Sequence, residues 1–353
     1  MSTDVAALAR PDIRALEAYV PASYAPGLVR LNANEAPWRS SADATERGLN
    51  RYPEARPGAL TRTLAEHYAV PAEDLFVTRG TSEAIDLLIR CFCRPGQDEI
   101  VICPPTFGMY AVYANIQAAG IRKVPLEDGF RLPVDAVLAA WQETSRLVFV
   151  TTPNNPTGNA FDTSEIERLV RGLEGRGIVV IDGAYLEFAG TEATMALRRY
   201  DNVVVLRTLS KAYGLAGARC GSLIADPAVI ALVTKVMPPY AVPTPSVESA
   251  LVALASEQFE VMPGRIRALI AERARVAAAL ADMPITVRVL PSDANFLLVQ
   301  FIDPQRVLAA AADAGLLLRD FSAQPATRNC LRITIGTQAQ NDRLIAALTE
   351  LTP

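Results

Sequence analysis

Between Leu75 and Ala225 the chain repeats one pattern, a short Val- and Ile-rich run followed in most cases by ten or more residues of helical periodicity. The apolar runs fall at Leu75–Thr78, Glu99–Cys103, Leu147–Thr151, Ile178–Asp182, Val203–Arg207 and Gly221–Ala225. Strands this continuously apolar are buried on both faces, and strands spaced by helices pair in parallel. The pattern therefore predicts a largely parallel sheet with helices on both sides. Helices are expected at Ala59–Tyr68, Thr81–Cys91 and Thr106–Ala119, with an earlier one over Leu8–Tyr19 broken by Pro21 and Pro26. After Pro245 an Ala-, Leu- and Arg-rich stretch to about Met283 reads as one or two helices. The character then changes. Strands at Thr286–Leu290, Asn295–Phe301 and Leu331–Ile335 flank a helix at Pro304–Ala314, which is an α+β module. A chain of 353 residues suits one large domain plus a smaller one, with the boundary near residue 280.

Composition narrows the function classes. Apolar residues make up 50% and charged residues 20%, which is globular, and the net charge of −4 supplies no basic field for nucleic acid or anionic membrane. No apolar run reaches the length of a membrane span, and Met1-Ser-Thr-Asp-Val lacks the start of a secretory leader. Five scattered cysteines read as free thiols of a reducing cytoplasm, not as disulfides or a metal site. No metal is expected. The sole histidine, His67, reads as a helix-surface residue, so a mechanism built on histidine is not expected.

The chemistry concentrates after the apolar runs, where open α/β sheets collect ligands. After Val203–Leu206 comes Thr208-Leu-Ser210-Lys211-Ala-Tyr-Gly-Leu-Ala-Gly-Ala-Arg219-Cys-Gly221. Hydroxyls, a Gly-rich turn and an arginine suit a phosphate, and a lysine among them can form a Schiff base with an aldehyde. Pyridoxal 5′-phosphate (PLP) presents both groups. A solvated lysine beside a helix start is the competing reading. After Leu75–Thr78, Arg79-Gly80-Thr81-Ser82-Glu83 offers free N–H groups and a helix dipole to a phosphate, though an ordinary helix cap fits equally. After Leu147–Thr151, Pro153-Asn154-Asn155-Pro156-Thr157-Gly158 forms a turn that can aim an amide into a cleft. Asp182 ends a wholly apolar strand and needs a cation, either a protonated pyridine or a structural salt-bridge partner. Tyr185, three residues on, can donate to a ring oxygen, and Phe107 offers a face for a planar ring or for the core.

Taken together, these pieces resemble the histidinol-phosphate aminotransferase family over nearly the whole chain. The matching stretches are Leu31-Asn-Ala-Asn-Glu-Ala-Pro37, Arg51-Tyr-Pro53, Pro104-Pro-Thr-Phe-Gly-Met-Tyr110, Pro153–Gly158, Arg207-Thr-Leu-Ser-Lys211, Leu318-Arg-Asp320 and Leu331-Arg-Ile-Thr-Ile-Gly336. The resemblance implies a fold-type-I PLP transferase of the α/β class. Its large domain, residues 31–280, would carry a mostly parallel seven-stranded sheet. A smaller α+β domain, 281–353, would be joined by an N-terminal arm, 1–30.

The same resemblance implies transamination between histidinol phosphate and 2-oxoglutarate, with glutamate as the other amino compound, in histidine biosynthesis. Lys211 would hold PLP and move a proton. Asp182 would face the pyridine nitrogen, Asn155 and Tyr185 the phenolic oxygen, and Phe107 the ring, where relatives usually carry tyrosine. Gly80, Thr81, Ser82, Thr208, Ser210 and Arg219 would bind the phosphate. Tyr52 would reach the site of a second subunit in a homodimer. Arg332, Arg319, Tyr19, Asn34 and Asn295 would meet the substrate. Gly183 stands where relatives usually have glutamate, which leaves local backbone rigidity open. An aromatic amino-acid aminotransferase is the alternative, with a decarboxylase of the same fold, a ligand-sensing regulatory domain and an inactive scaffold further off.

Overall fold

The computed structural model describes residues 4–22, 28–190, 192–255 and 257–351. The expected break at Pro26 lies outside them. Their first helix, α1 (Pro11–Ala15), follows a single 3-10 turn at Val5–Leu8. It is shorter than the expected Leu8–Tyr19. Pro11 suits a first helical turn, whose N–H is unused. From Leu16 the backbone is extended, and Leu16, Tyr19 and Val20 stay exposed.

The large body then assembles in alternation. Helix α2 (Gly58–Tyr68) precedes β1 (Leu75–Thr78), α3 (Thr81–Phe92), β2 (Glu99–Ile102) and α4 (Met109–Ile116). Next come β3 (Gly120–Lys123), α5 (Val134–Ala140), β4 (Ser145–Thr151), α6 (Thr163–Gly172) and β5 (Ile178–Asp182). Helix α7 (Glu192–Ala196), β6 (Val203–Thr208), β7 (Gly221–Ala225), α8 (Pro227–Val236) and α9 (Thr244–Ala255) complete it. The sheet order is β1-β7-β6-β5-β4-β2-β3. Strand β7 is antiparallel to both neighbours, and the pairs from β6 through to β3 are parallel. Every residue of β1, β5, β6 and β7 is buried, because helices cover both faces. Amphipathic α3 contributes Ala84, Ile85, Leu87, Leu88 and Ile89 to that core. Each large aliphatic chain so buried is worth about 1.5–3 kcal/mol.

Strand β3 and helix α5 were not foreseen in the sequence. β3 is an edge strand of Gly-Ile-Arg-Lys with no buried residue, so it lacks an apolar signature. The expected helix Thr106–Ala119 is trimmed to α4, because Phe107 and Gly108 form its approach turn and Ala118 is left-handed.

Helix α10 (Glu257–Ala281) leads into the second body: β8 (Thr286–Val289), β9 (Phe296–Phe301), α11 (Pro304–Asp313), β10 (Arg319–Asp320), β11 (Cys330–Thr334) and α12 (Gln338–Thr349). Its sheet, ordered β10-β11-β9-β8, is antiparallel throughout. Val276 and Leu280 of α10 already belong to this second core, with Leu297, Val299, Phe301 and Leu344. Among the described residues, the start of the N-terminal stretch packs on the large body. Val5 and Ala9 are buried in the large core, the Arg10 N–H donates to the Cys91 carbonyl at 3.0 Å, and Lys235 of α8 donates to the Arg14 carbonyl at 2.7 Å. Two small apolar side chains find their nearest apolar surface on the large body, so residues 5–15 dock there. Between Leu28 and Tyr52, by contrast, Leu28, Val29, Leu31, Trp38, Leu49 and Tyr52 are all largely exposed. The second tryptophan, Trp141, is buried beside Gly177.

Candidate active site

The carboxyl ends of β1, β4, β5 and β6, with the turns after them and after β2, open onto one cavity. It is lined by Thr81, Ser82, Phe107, Thr151, Asn155, Asp182, Ala184, Tyr185, Thr208, Ser210, Lys211 and Arg219. Most of the residues singled out in the sequence are therefore brought together.

One end of the cavity is built to hold an anion. Gly80, at φ +81°, caps α3, and a Cβ there would lie 2.5 Å from Arg219 Nη2. Gly221 is the reciprocal case, since its Cβ would lie 2.7 Å from the backbone of Gly80 and Thr81. These two glycines let strand β7, the start of α3 and the Arg219 guanidinium converge. Opposite them, Thr208 Oγ1 lies 3.0 Å from Ser210 Oγ and accepts from the Ser210 N–H at 3.1 Å. Arg219 Nη1 donates to Ser210 Oγ at 3.5 Å. Helix-start amides, two hydroxyls and a guanidinium fit a phosphate group.

The other end is deep and carries a carboxylate. Asp182 is 2% exposed. Tyr110 Oη donates to its Oδ2 at 2.8 Å, and the Ala184 N–H donates to Oδ1 at 3.2 Å. Burial raises the Asp182 pKa, against the lowering effects of Tyr110, Ala184 and Lys211. A buried carboxylate of this kind suits a cationic partner. Gly183, next in the chain, is held by its N–H to the Leu206 carbonyl at 3.0 Å, and a Cβ there would press on Leu186.

Lys211 stands between the two ends, its Nζ 5.7 Å from the centroid of the Tyr185 ring. Partial burial lowers its pKa, Arg332 and Arg219 add to that, and Asp182 opposes it. Tyr185 is pushed up to about 12, mainly by burial. Its hydroxyl accepts from Asn155 Nδ2 at 3.4 Å, and Asn155 Oδ1 accepts from Arg332 Nη1 at 2.5 Å. Arg332 comes from β11 of the second body, over the rings of Phe296 and Phe321. Its cross-strand partner is Arg319 of β10, so two guanidiniums lie on one face. Asn295 is half-buried where β9 begins, its carbonyl accepting from the Ile335 N–H at 2.9 Å. Tyr19, Asn34 and Tyr52 are exposed and do not line this cavity. Tyr52 stacks on Tyr240 with centroids 4.8 Å apart.

Three residues in or near the site escaped the sequence reading. Tyr110 and Thr151 lie behind Asp182, and their neighbours in sequence made them look like core. His67 is the third, partly exposed on its helix as expected but with a partner the sequence did not reveal. It is half-buried, with Nε2 2.7 Å from the hydroxyl of Tyr213 on the Lys211 loop. Burial, helped by Arg207, lowers its pKa to about 4.

The description "Aminotransferase class I and II" belongs to the family that matches residues 29–348. A histidinol-phosphate aminotransferase of Stenotrophomonas maltophilia is 45% identical over 353 residues, covering 98% of this chain and 97% of that protein. One of Xanthomonas campestris pv. campestris is 45% identical and covers 99% and 98%. Among solved structures, the histidinol-phosphate aminotransferase of Sinorhizobium meliloti, in complex with pyridoxal-5′-phosphate, has a TM-score of 0.77 at 25% identity. That likeness spans 85% of this chain and 82% of that one.

Proposed function

The chain belongs to the class I and II aminotransferase family, and from that premise we propose that it exchanges an amino group between histidinol phosphate and 2-oxoglutarate. The products are imidazole acetol phosphate and glutamate, in the biosynthesis of L-histidine. The enzyme is a PLP-dependent aminotransferase, and the cofactor supplies an aldehyde that bonds amines and a ring that takes up electrons. The cavity suits it, with an anion cradle at one end and a buried carboxylate at the other.

In this reading Lys211 would hold the cofactor through its aldehyde and would serve as the proton carrier of the site. Its lowered pKa favours the neutral amine that both jobs need. Asp182 would accept a hydrogen bond from the protonated ring nitrogen, Asn155 and Tyr185 would hydrogen-bond the phenolic oxygen, and Phe107 would cover the ring. Gly80, Thr81, Ser82, Thr208, Ser210 and Arg219 hold the phosphate. Tyr52, which is exposed and does not line its own cavity, completes the site of a second copy in a homodimer. The exposed apolar row from Leu28 to Tyr52 supports that assembly. Five free, buried thiols support a cytoplasmic setting.

The observation that carries the substrate is the Arg332–Arg319 pair beside the cavity. One site must take both a glutamate carboxylate and a phosphate, and a planar guanidinium forks to either. Tyr19, Asn34 and Asn295 would surround the same substrate. Arg332→Lys should weaken both half-reactions. Arg319→Ala should harm histidinol phosphate more than glutamate, by about 1.5–3 kcal/mol per charged hydrogen bond lost. The test is kcat/KM for histidinol phosphate beside histidinol and phenylalanine. Indifference to the phosphate, or a strong preference for phenylalanine, would assign the enzyme to aromatic amino acids instead.

A further inference from the structure

Asp182 is served from behind by a row of hydroxyls. Tyr110 Oη, 2.8 Å from Asp182 Oδ2, is also 2.7 Å from Thr151 Oγ1. Thr151 Oγ1 lies 3.3 Å from Thr106 Oγ1, which lies 3.3 Å from the Asn154 side-chain oxygen. Tyr110 is fully buried, stacked on Phe149 with centroids 4.6 Å apart and edge-on to Phe107 at 5.5 Å. A phenol has one proton. With that proton on Asp182, the Tyr110 oxygen must accept another, and Thr151 is the hydroxyl in reach. Tyr110 has no exposed surface, so its hydroxyl is held between Asp182 and Thr151.

The titratable and charged groups that face Asp182 are Tyr110 from α4, Tyr185 from its own turn and Lys211 from the loop after β6. Lys211 is committed to the cofactor aldehyde, and Tyr185 faces the ring oxygen. Tyr110 is then the side chain left to stabilise the carboxylate. A hydrogen bond donated to a buried carboxylate favours its ionised form, and the effect is largest where water is excluded.

We propose that Tyr110 is a positioning residue for the ring-nitrogen proton: its O–H bond to Asp182 keeps that proton on the cofactor nitrogen instead of on the carboxylate. This rests on the reading that the bound ring faces Asp182. Removing the phenol oxygen takes away the Tyr110 hydrogen bond that opposes burial, leaving the Ala184 N–H as the remaining hydrogen bond to the carboxylate and tilting Asp182 toward taking up a proton. The proton then shifts from the ring nitrogen to Asp182 and nothing leaves the site, but the ring loses its positive charge. A neutral pyridine is the weaker electron sink.

Tyr110→Phe separates this role from packing, because the ring that fills the space against Phe149 and Phe107 remains. The holoenzyme is reconstituted with PLP carrying ¹⁵N in the ring. The variant should move the ¹⁵N signal toward the unprotonated position, with Asp182→Asn marking that end of the scale. The pH midpoint of the visible band of the lysine-linked cofactor should rise. The rate constant kcat should fall about ten- to hundredfold, as for a lost hydrogen bond to a charged group, with KM little changed. Thr151→Val should shift the same signals less, in the same direction, and it serves as the test if Tyr110→Phe does not fold. An unchanged ¹⁵N signal and band midpoint would overturn the proposal, whatever happens to kcat. A wild-type protein that binds no lysine-linked PLP would overturn the functional reading instead.

Discussion

At the scale of single residues, Lys211 is pushed toward neutrality by partial burial and by two arginines, and held back by Asp182. Its replacement by alanine should abolish the borohydride-fixed cofactor adduct, read by mass spectrometry. Transamination should fall at least about 10²- to 10⁴-fold, the range for a lost proton-transfer group. A reduced adduct found on another lysine would refute the assignment. His67 makes a second prediction. It is neutral in the fold, titrating at about 4 instead of the ordinary 6.5. The unfolded chain therefore takes up its proton first as pH falls. The stability this gives is fully present above pH 6.5 and is lost as pH drops through 4. A shift of that size is worth at most about 3 kcal/mol, and less here because His67 is only half-buried. Urea unfolding at pH 7 and pH 4.5 should show the loss in the wild type and a smaller one in His67→Phe. Equal losses would place the titration elsewhere. Lys211, Asp182 and Asn155 were legible in the sequence because polar residues at the ends of apolar strands are conspicuous. Tyr110 and His67 were not, since a tyrosine on an apolar helix face looks like packing and a histidine beside Glu66 looks like helix surface until their partners, 72 and 146 residues away, are in place.

At the scale of elements, the anion cradle depends on how closely β7 passes the start of α3. Thr78 pairs with Gly221 at the end of β1, where Gly221 has no room for a side chain. Gly221→Ala must push the backbone of Gly80 and Thr81 away from the cavity. Overpacking of this kind costs about 1–3 kcal/mol, and the displaced amides should also weaken PLP binding about tenfold or more. Equilibrium dialysis with pyridoxal 5′-phosphate checks the second effect, and unchanged affinity would detach β7 from the cradle. The central strands were readable from sequence because burial on both faces leaves mostly Val, Ile and Leu. Strand β3 was hidden for the opposite reason. It lies at the sheet edge, and its Arg122 pairs with Glu99 of β2 at 2.6 Å, so charge replaces apolar pattern.

At the scale of the whole molecule, the N-terminal stretch divides in two. Residues 5–15 dock on the large body, while Leu28 to Tyr52 present an apolar row to solvent. Local sequence could not reveal that division, because which apolar residues are covered depends on surfaces assembled from distant segments. If Tyr52 serves the neighbouring subunit, mixing inactive Lys211→Ala chains with inactive Tyr52→Ala chains should restore activity, since one site of the mixed dimer is intact. The expected recovery is about a quarter of wild-type activity at equal mixing with random pairing. A fully active monomer in sedimentation, or no recovery despite proven subunit exchange, would refute shared sites. The placement of the two tryptophans also gives this chain a native optical reporter. Trp38 is 80% exposed in the row and Trp141 is 7% exposed in the core. Self-association through that row would shift the emission of the first to shorter wavelength while the second holds steady as an internal reference. Dilution of the unlabelled protein in a fluorimeter is then enough to follow assembly.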